Sequence, residues 1–164
     1  MTEPGNIKLH SKWILWYHHD KKNWKINGYK QIYEINTIKD FWDIHNNLKH
    51  IGGINTFHFF LMREGVTPIW EDTNNKKGGC WSIKLTTDIT SDIWELIAVL
   101  LVGETLSSNS LEINGISICV KSPITSILKI WNKKSSNSSI NQLNQKIIDK
   151  FGFNIIYRKF SPEY

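Results

Sequence analysis

An indole stands beside a carboxylate in Pro68-Ile69-Trp70-Glu71-Asp72, and the chain runs on through Lys76-Lys77-Gly78-Gly79-Cys80-Trp81. The indole face attracts cations and stacks on planar rings. A neighbouring carboxylate carries negative charge and can take two N–H donors in bidentate fashion. Together they suit a flat, cationic, N–H-rich ring. A purine methylated at N7 is such a ring, with delocalised positive charge and adjacent N1–H and N2–H2 donors. The competing reading of the stretch alone is a turn tryptophan followed by a solvated glutamate.

A second candidate lies upstream. The polar segment His18-His19-Asp20-Lys21-Lys22-Asn23 ends in Trp24. Flanked by Asn23 and Lys25, Trp24 is expected on a loop and partly exposed; the alternative is an indole folded back to cap the sheet. His18 and His19 lack a second ligand pair at metal spacing, so they are read as solvated loop histidines and no metal is expected. Cys80 and Cys119 are too few for a disulfide framework, which leaves buried free thiols as the expectation. No base–orienter pattern joins a nucleophile to a histidine, and Glu71-Asp72 alone is no metal-binding carboxylate cluster, so an enzyme is not expected.

Composition sets the outer bounds. A chain of 164 residues fits one domain with a real core, here taken as residues 9–164 behind a short disordered lead over 1–8. Eight tryptophans are the anomaly. The net charge of +5 is carried almost wholly by lysine, since Arg63 and Arg158 are the only arginines; it permits an anionic partner without requiring one. Met1 to Gly5 has no signal-peptide pattern, and the longest apolar run, Ile97 to Val102, is too short to span a membrane. A soluble cytoplasmic monomer without cofactors is the expectation.

These residues need elements to position them. Lys12 to Tyr17 reads as an aromatic strand on which Trp13 and Trp16 point to opposite faces, one under the sheet and the other near an edge. Tyr29 to Ile35 alternates as a strand. Thr37 then caps a helix to about Leu48, with Asp40 completing a near capping box and Ile38, Phe41, Ile44 and Leu48 as the core face. Trp42, beside that face, is either core margin or surface anchor. Gly52-Gly53 breaks the chain. Strands are expected over Thr56 to Arg63 and Cys80 to Thr86, then a buried helix capped by Thr90 or Ser91 and ended by Gly103. Two strands, Leu111 to Lys121 and Ile124 to Lys133, turn at Ser122-Pro123. A third helix runs from Ser139 to Gly152, and a last strand covers Asn154 to Phe160. The predicted class is α+β: an antiparallel sheet with three helices on one face, leaving the other free to cradle a ligand.

With the tryptophans placed in order, the chain resembles the messenger-RNA cap-binding translation initiation factor 4E family over roughly residues 9 to 160. The resemblance rests on Trp-Ile-Leu-Trp-Tyr (13 to 17), Trp24, Asp-Phe-Trp (40 to 42), Pro-Ile-Trp-Glu-Asp (68 to 72), Lys-Lys-Gly-Gly-Cys-Trp (76 to 81), Trp94 with Val102-Gly103-Glu104, and Ile130-Trp131. It implies a curved antiparallel sheet backed by three helices, with a cap pocket on the concave face. It implies that Trp24 and Trp70 sandwich 7-methylguanine, that Glu71 takes the base N–H groups, and that Trp131 lies next to the N7 methyl. Lys121 falls near a phosphate-contacting position, and the adjoining turn, Ser122 with Thr125 and Ser126, offers hydroxyl donors. On the opposite face Ile38, Trp42 and the second helix (Glu95, Leu96, Val99) resemble the site where scaffold proteins of translation initiation dock a helical peptide.

Several departures bear on those roles. Cys80 stands where the family usually has an arginine beside the phosphates. The segment from Lys121 to Trp131 is one residue longer than usual. The order Glu95-Leu96 reverses the usual leucine-then-glutamate, and no His-Pro pair precedes the first strand. The implied function is a non-enzymatic binder of capped messenger RNA that recruits a scaffold. The alternatives are a cap-binding repressor or competitor and, in a different class, an interaction module that has lost the cap.

Overall fold

The computed structural model describes residues 6–51, 53–54 and 58–160. Its elements run β1 (Lys8–His18), β2 (Tyr29–Thr37), α1 (Ile38–Asn47), β3 (His58–Arg63), β4 (Gly79–Thr86), α2 (Thr87–Val102), β5 (Ile113–Ser122), β6 (Thr125–Asn132), α3 (Gln145–Phe151) and β7 (Ile155–Lys159). The strands form one curved antiparallel sheet in the order β2-β1-β3-β5-β6-β4-β7.

Because side chains alternate along a strand, each strand serves two faces. Trp13, Leu15, Phe59, Leu61, Trp81 and Ile83 point to the helices and are at most 2% exposed. There they meet Phe41 of α1, Ile97 and Leu101 of α2, and Ile147 of α3. Their neighbours Ile14, Trp16, Phe60, Met62, Cys80 and Trp131 form a smaller cluster on the concave side. Trp13 and Trp16 therefore do face opposite ways. Trp16 is not near an edge, however: β1 lies between β2 and β3, and Trp16 is 8% exposed beneath the concave cluster.

The capping box at Thr37 and Asp40 is present, with the Asp40 amide donating to Thr37 Oγ1 at 3.0 Å and Asp40 Oδ2 accepting from the Thr37 amide at 2.9 Å. Phe41 of α1 and Leu48, which caps its end, are buried while Ile38 is 37% exposed, so the core face is narrower than its spacing predicts. α2 begins a turn earlier than predicted. Thr86, the last residue of β4, is its N-cap, and Thr90 sits inside the helix with its hydroxyl donating to the Thr86 carbonyl at 2.9 Å. At its end Gly103 has an ordinary φ of −80°, and the left-handed residue is Glu104 at +58°. The predicted third helix is split. Ser139 caps a single 3-10 turn, Leu143 becomes extended to bridge Ser107, and Asn144 caps the seven-residue α3. The Asn144 amide donates to the Leu106 carbonyl at 2.8 Å, so the backbone there is already committed outside a helix. β1 starts at Lys8, earlier than predicted. Of the predicted lead, residues 1–5 lie outside the described residues, as do Gly52 and the start of the Thr56–Arg63 strand.

Arg63, at the end of β3, ties the helical side together. Its guanidinium donates to Glu104 Oε1 and Ser11 Oγ, both at 2.8 Å, to the Ser110 carbonyl at 3.0 Å and to the Ile113 carbonyl at 2.9 Å. It also lies 4.4 Å from the centre of the Trp13 ring. Both members of the pair are largely buried, so removing one strands the other charge. Arg63→Met is expected to destabilise the fold by about 3–5 kcal/mol in urea unfolding, and adding Glu104→Leu to recover part of that loss.

Candidate ligand-binding cleft

A cleft of about 360 Å³ opens on the concave side, with Trp24, Trp70 and Glu71 at its rim and Phe60 and Trp131 in its floor. They arrive from four places in the fold: the β1–β2 loop, the β3–β4 loop, β3 and β6.

Trp24 ends the β1–β2 loop. His18, the last residue of β1, donates from Nε2–H to the Asn23 carbonyl at 2.6 Å and stacks on Trp24, with centroids 4.3 Å apart and planes at 26°. The Trp24 N–H donates to the Lys21 carbonyl at 2.9 Å. With its edge tied and one face backed by His18, the indole is nevertheless 53% exposed. His18 is thus no solvated loop residue: it is 2% exposed and serves as the backing plate of Trp24.

Trp70 and Glu71 sit on an irregular loop that has no ladder to hold it, so side chains do so. Asp72 accepts from the Thr67 amide at 2.9 Å, the Thr67 hydroxyl at 2.6 Å and the Asn74 amide at 2.7 Å. Burial pushes the Asp72 carboxyl up, but these hydrogen bonds outweigh it and hold its pKa below the usual value. Asn75, wholly buried, donates to the Thr67 and Ile69 carbonyls at 3.0 and 2.8 Å. Its own oxygen accepts from Asn114 on β5 at 2.8 Å, which fastens the loop to the sheet. Gly78 returns the chain beside β6, where a Cβ would overlap the Asn132 carbonyl oxygen. Trp70 is left 47% exposed.

Trp131 lies on β6, 6% exposed, with its N–H donating to Ser117 Oγ at 3.0 Å. Five lining residues escaped the sequence reading: Tyr29, His58, Phe60, Lys129 and Phe160. Burial, reinforced by the Glu71 charge, pushes the Tyr29 phenol up to about 12, so it stays a neutral donor facing that carboxylate. Burial, with His18, Lys121 and Lys129 adding to it, pushes His58 down to about 3. His58 is therefore neutral and adds no positive charge to the cleft. Strand alternation was the available signal, since Lys129 shares a face with Trp131 and His58 with Phe60. Lys121 and Ser122, the last two residues of β5, are not among the cleft's lining residues; Ser122 Oγ accepts from the Ile124 amide at 3.3 Å. Ser126 cannot add a donor there, because it is buried on the helical side against Thr90.

On that helical side Ile38, Trp42 and Val99 are each 37–38% exposed. Glu95 reaches across from α2 to α1, with a carboxylate oxygen 3.4 Å from His45 Nε2. Leu96 is half-buried against the core.

A curved seven-stranded antiparallel sheet with helices behind it and an indole-rimmed, carboxylate-bearing cleft in front defines an open-sheet α+β class of domain. Comparison with known proteins makes this specific: the model of the family "Eukaryotic initiation factor 4E" matches residues 8–160, and the chain belongs to that family. Eukaryotic translation initiation factor 4E of Candida albicans is 27% identical over 158 residues, 88% of this chain and 74% of that protein. The chain spans between 56% and 65% of four further relatives. The structure of Ascaris suum eIF4E-3 with m7G cap superposes with a TM-score of 0.81 at 25% identity, over 96% of this chain and 93% of that one. The complex of C. elegans eIF4E-3 with the 4E-binding protein Mextli and cap analog gives 0.79 at 25% identity, over 93% and 91% of the two chains.

The loop anchor can be tested without a ligand. Asn75→Ala leaves two carbonyls and the Asn114 amide short of partners, and is expected to cost about 1–3 kcal/mol of stability. Limited proteolysis is expected to cut between Thr67 and Gly78 sooner than in the parent.

Proposed function

We propose that this chain binds the 7-methylguanosine 5′ cap of messenger RNA and recruits a scaffold protein of translation initiation, without catalysing a reaction. The observation that carries the reading is one cleft lined by two half-exposed indoles on separate loops, Trp24 and Trp70, together with the carboxylate of Glu71.

Methylation at N7 makes guanine a delocalised cation. Stacked between Trp24 and Trp70 it gains cation–π attraction as well as stacking. Glu71 takes the N1–H and N2–H2 donors, and the Trp131 edge abuts the N7 methyl. The neutral His58 and the aromatic floor add no positive charge beside the ring. Lys121 and Ser122, at the end of β5 and outside the cleft lining, are the phosphate contacts that the resemblance implies. On the helical face Ile38, Trp42 and Val99 offer apolar anchors for a helical peptide, with Glu95 and Leu96 beside them. Glu95 is turned outward and engaged by His45 while Leu96 is turned in. The partner is therefore expected to meet a carboxylate at Glu95, and so to differ from a partner that needs leucine there.

Titration of 7-methyl-GTP against GTP, followed by intrinsic fluorescence, tests the base site. Trp24→Ala and Trp70→Ala are each expected to weaken 7-methyl-GTP binding by about 1–3 kcal/mol. Glu71→Gln is expected to fall between parent and Glu71→Ala, since the amide keeps one acceptor but opposes the second donor. Equal affinity of the parent for GTP and 7-methyl-GTP would refute the cation–π part. The helical face has its own test: Trp42→Ala is expected to abolish capture of the scaffold partner from lysate while leaving 7-methyl-GTP affinity unchanged, and a parallel loss of both would show that the two faces are not separate sites.

A further inference from the structure

Lys129 and Arg158 are cations on the cleft side of the sheet, beside the floor indole. Among the described residues Lys12, Lys39, Arg63 and Lys134 enter ion pairs with carboxylates, whereas Lys129 and Arg158 enter none. Strand register brings these two together. Cys80 on β4 lies opposite Trp131 of β6 on one side and Arg158 of β7 on the other. One step along, Ser82 lies opposite Lys129. Cross-strand partners share a face and stand about 5 Å apart at Cβ. Since Lys129 and Trp131 line the cleft, Cys80, Ser82 and Arg158 belong to the same side. Lys129 and Arg158 thus flank β4 diagonally, one strand away on each side, next to the floor indole.

We propose that Lys129 and Arg158 form the anion site of this cleft and grip the polyphosphate of a ligand whose ring is held by Trp24 and Trp70. The inference rests on the cap reading above and names the residues that replace the missing arginine at Cys80. Arg158 supplies the planar fork that suits phosphate oxygens and Lys129 a point charge. Ser82, half-buried between them, adds a hydroxyl 3.7 Å from the Cys80 sulfur. The Cys80 thiol lies within the field of both cations, and burial pushes its pKa up despite them, so it stays uncharged and cancels neither. Lys121 ends β5 and is not among the cleft's lining residues, which makes it the comparator.

The test titrates the parent, Lys129→Gln, Arg158→Gln, the double variant and Lys121→Ala with 7-methyl-GTP and with the 7-methylguanosine nucleoside, at two salt concentrations, by tryptophan fluorescence. Each single Gln variant is expected to lose about tenfold in 7-methyl-GTP affinity, the usual scale for a hydrogen bond to a charged group. The double variant is expected to lose more and to flatten the salt dependence. Nucleoside affinity is expected to stay at the parent value, which also shows that the variants fold, and Arg158→Lys is expected to keep most of the binding. Parent-like affinity and salt slope in the double variant would overturn the assignment, as would a parent that binds nucleoside and 7-methyl-GTP equally. If no 7-methylguanine ligand binds at all, the base reading fails by itself. Calorimetry with inorganic triphosphate then decides the anion site: binding lost in the double variant upholds it, and binding unchanged or absent in the parent overturns it.

Discussion

The cleft depends on a knot of buried amides and one carboxylate. The loop that carries Trp70 and Glu71 has no regular secondary structure, and a loop without a ladder must satisfy its backbone groups some other way. Asp72 gathers the donors of Thr67 and Asn74 at the front, and Asn75 takes up the carbonyls of Thr67 and Ile69 behind. Asn114 then locks Asn75 to the sheet. A network in which the loop's donors and acceptors meet is stiff because any movement leaves a buried group unpaired. That stiffness lets a large apolar indole stand half in water without folding back onto the protein. Trp24 meets the same problem with different means: an indole N–H bond to a carbonyl and a buried histidine behind the ring.

Behind both loops, strand alternation divides one set of strands between two tasks. In each adjacent pair one side chain enters the helix-backed core and the next enters the cleft: Trp81 and Cys80 on β4, Ile130 and Trp131 on β6, Phe59 and Phe60 on β3. The core side is mainly apolar, with the Thr90–Ser126 hydroxyl pair inside it and the Arg63–Glu104 ion pair against Trp13. The cleft side mixes aromatic rings with titratable groups held neutral by burial, namely His58, Tyr29 and Cys80. With those groups neutral, Glu71 and Lys129 are the charges among the lining residues. Such a division suits a ligand that is cationic on its ring and anionic on its tail.

Much of this was legible in the sequence. Tryptophan positions in order identified the family, and the capping residues at Thr37 fixed the first helix. The opposed orientation of Trp13 and Trp16 followed from their odd spacing alone. What stayed hidden was long-range. His18 looks like a loop histidine because its burial comes from Trp24, which folds over it, and from Tyr29 on the neighbouring strand. The third helix looks continuous because its apolar spacing is helical. It breaks because Leu143 and Asn144 bond to Ser107 and Leu106, residues nearly forty positions away. Tyr29 and Lys129 were missed as cleft residues because period-2 alternation says which residues share a face but not which face the loops will cover.

The sheet also separates the two recognition surfaces proposed above. The cleft and the exposed patch of Ile38, Trp42 and Val99 lie on opposite sides of it. Coupling between two sites needs an element with two arrangements that both sites bias. Here the layer between them is the main core, where Trp13, Phe59, Trp81, Ile116 and Ile130 are fully buried. Close-packed interiors of this kind resist continuous deformation. The two loops that carry the rim indoles are themselves tied by side-chain hydrogen bonds. Occupancy of one surface therefore has no evident route to the other through the sheet. Cooperation between them would have to come from outside the domain, by a partner that touches both the helical patch and the ligand's own chain.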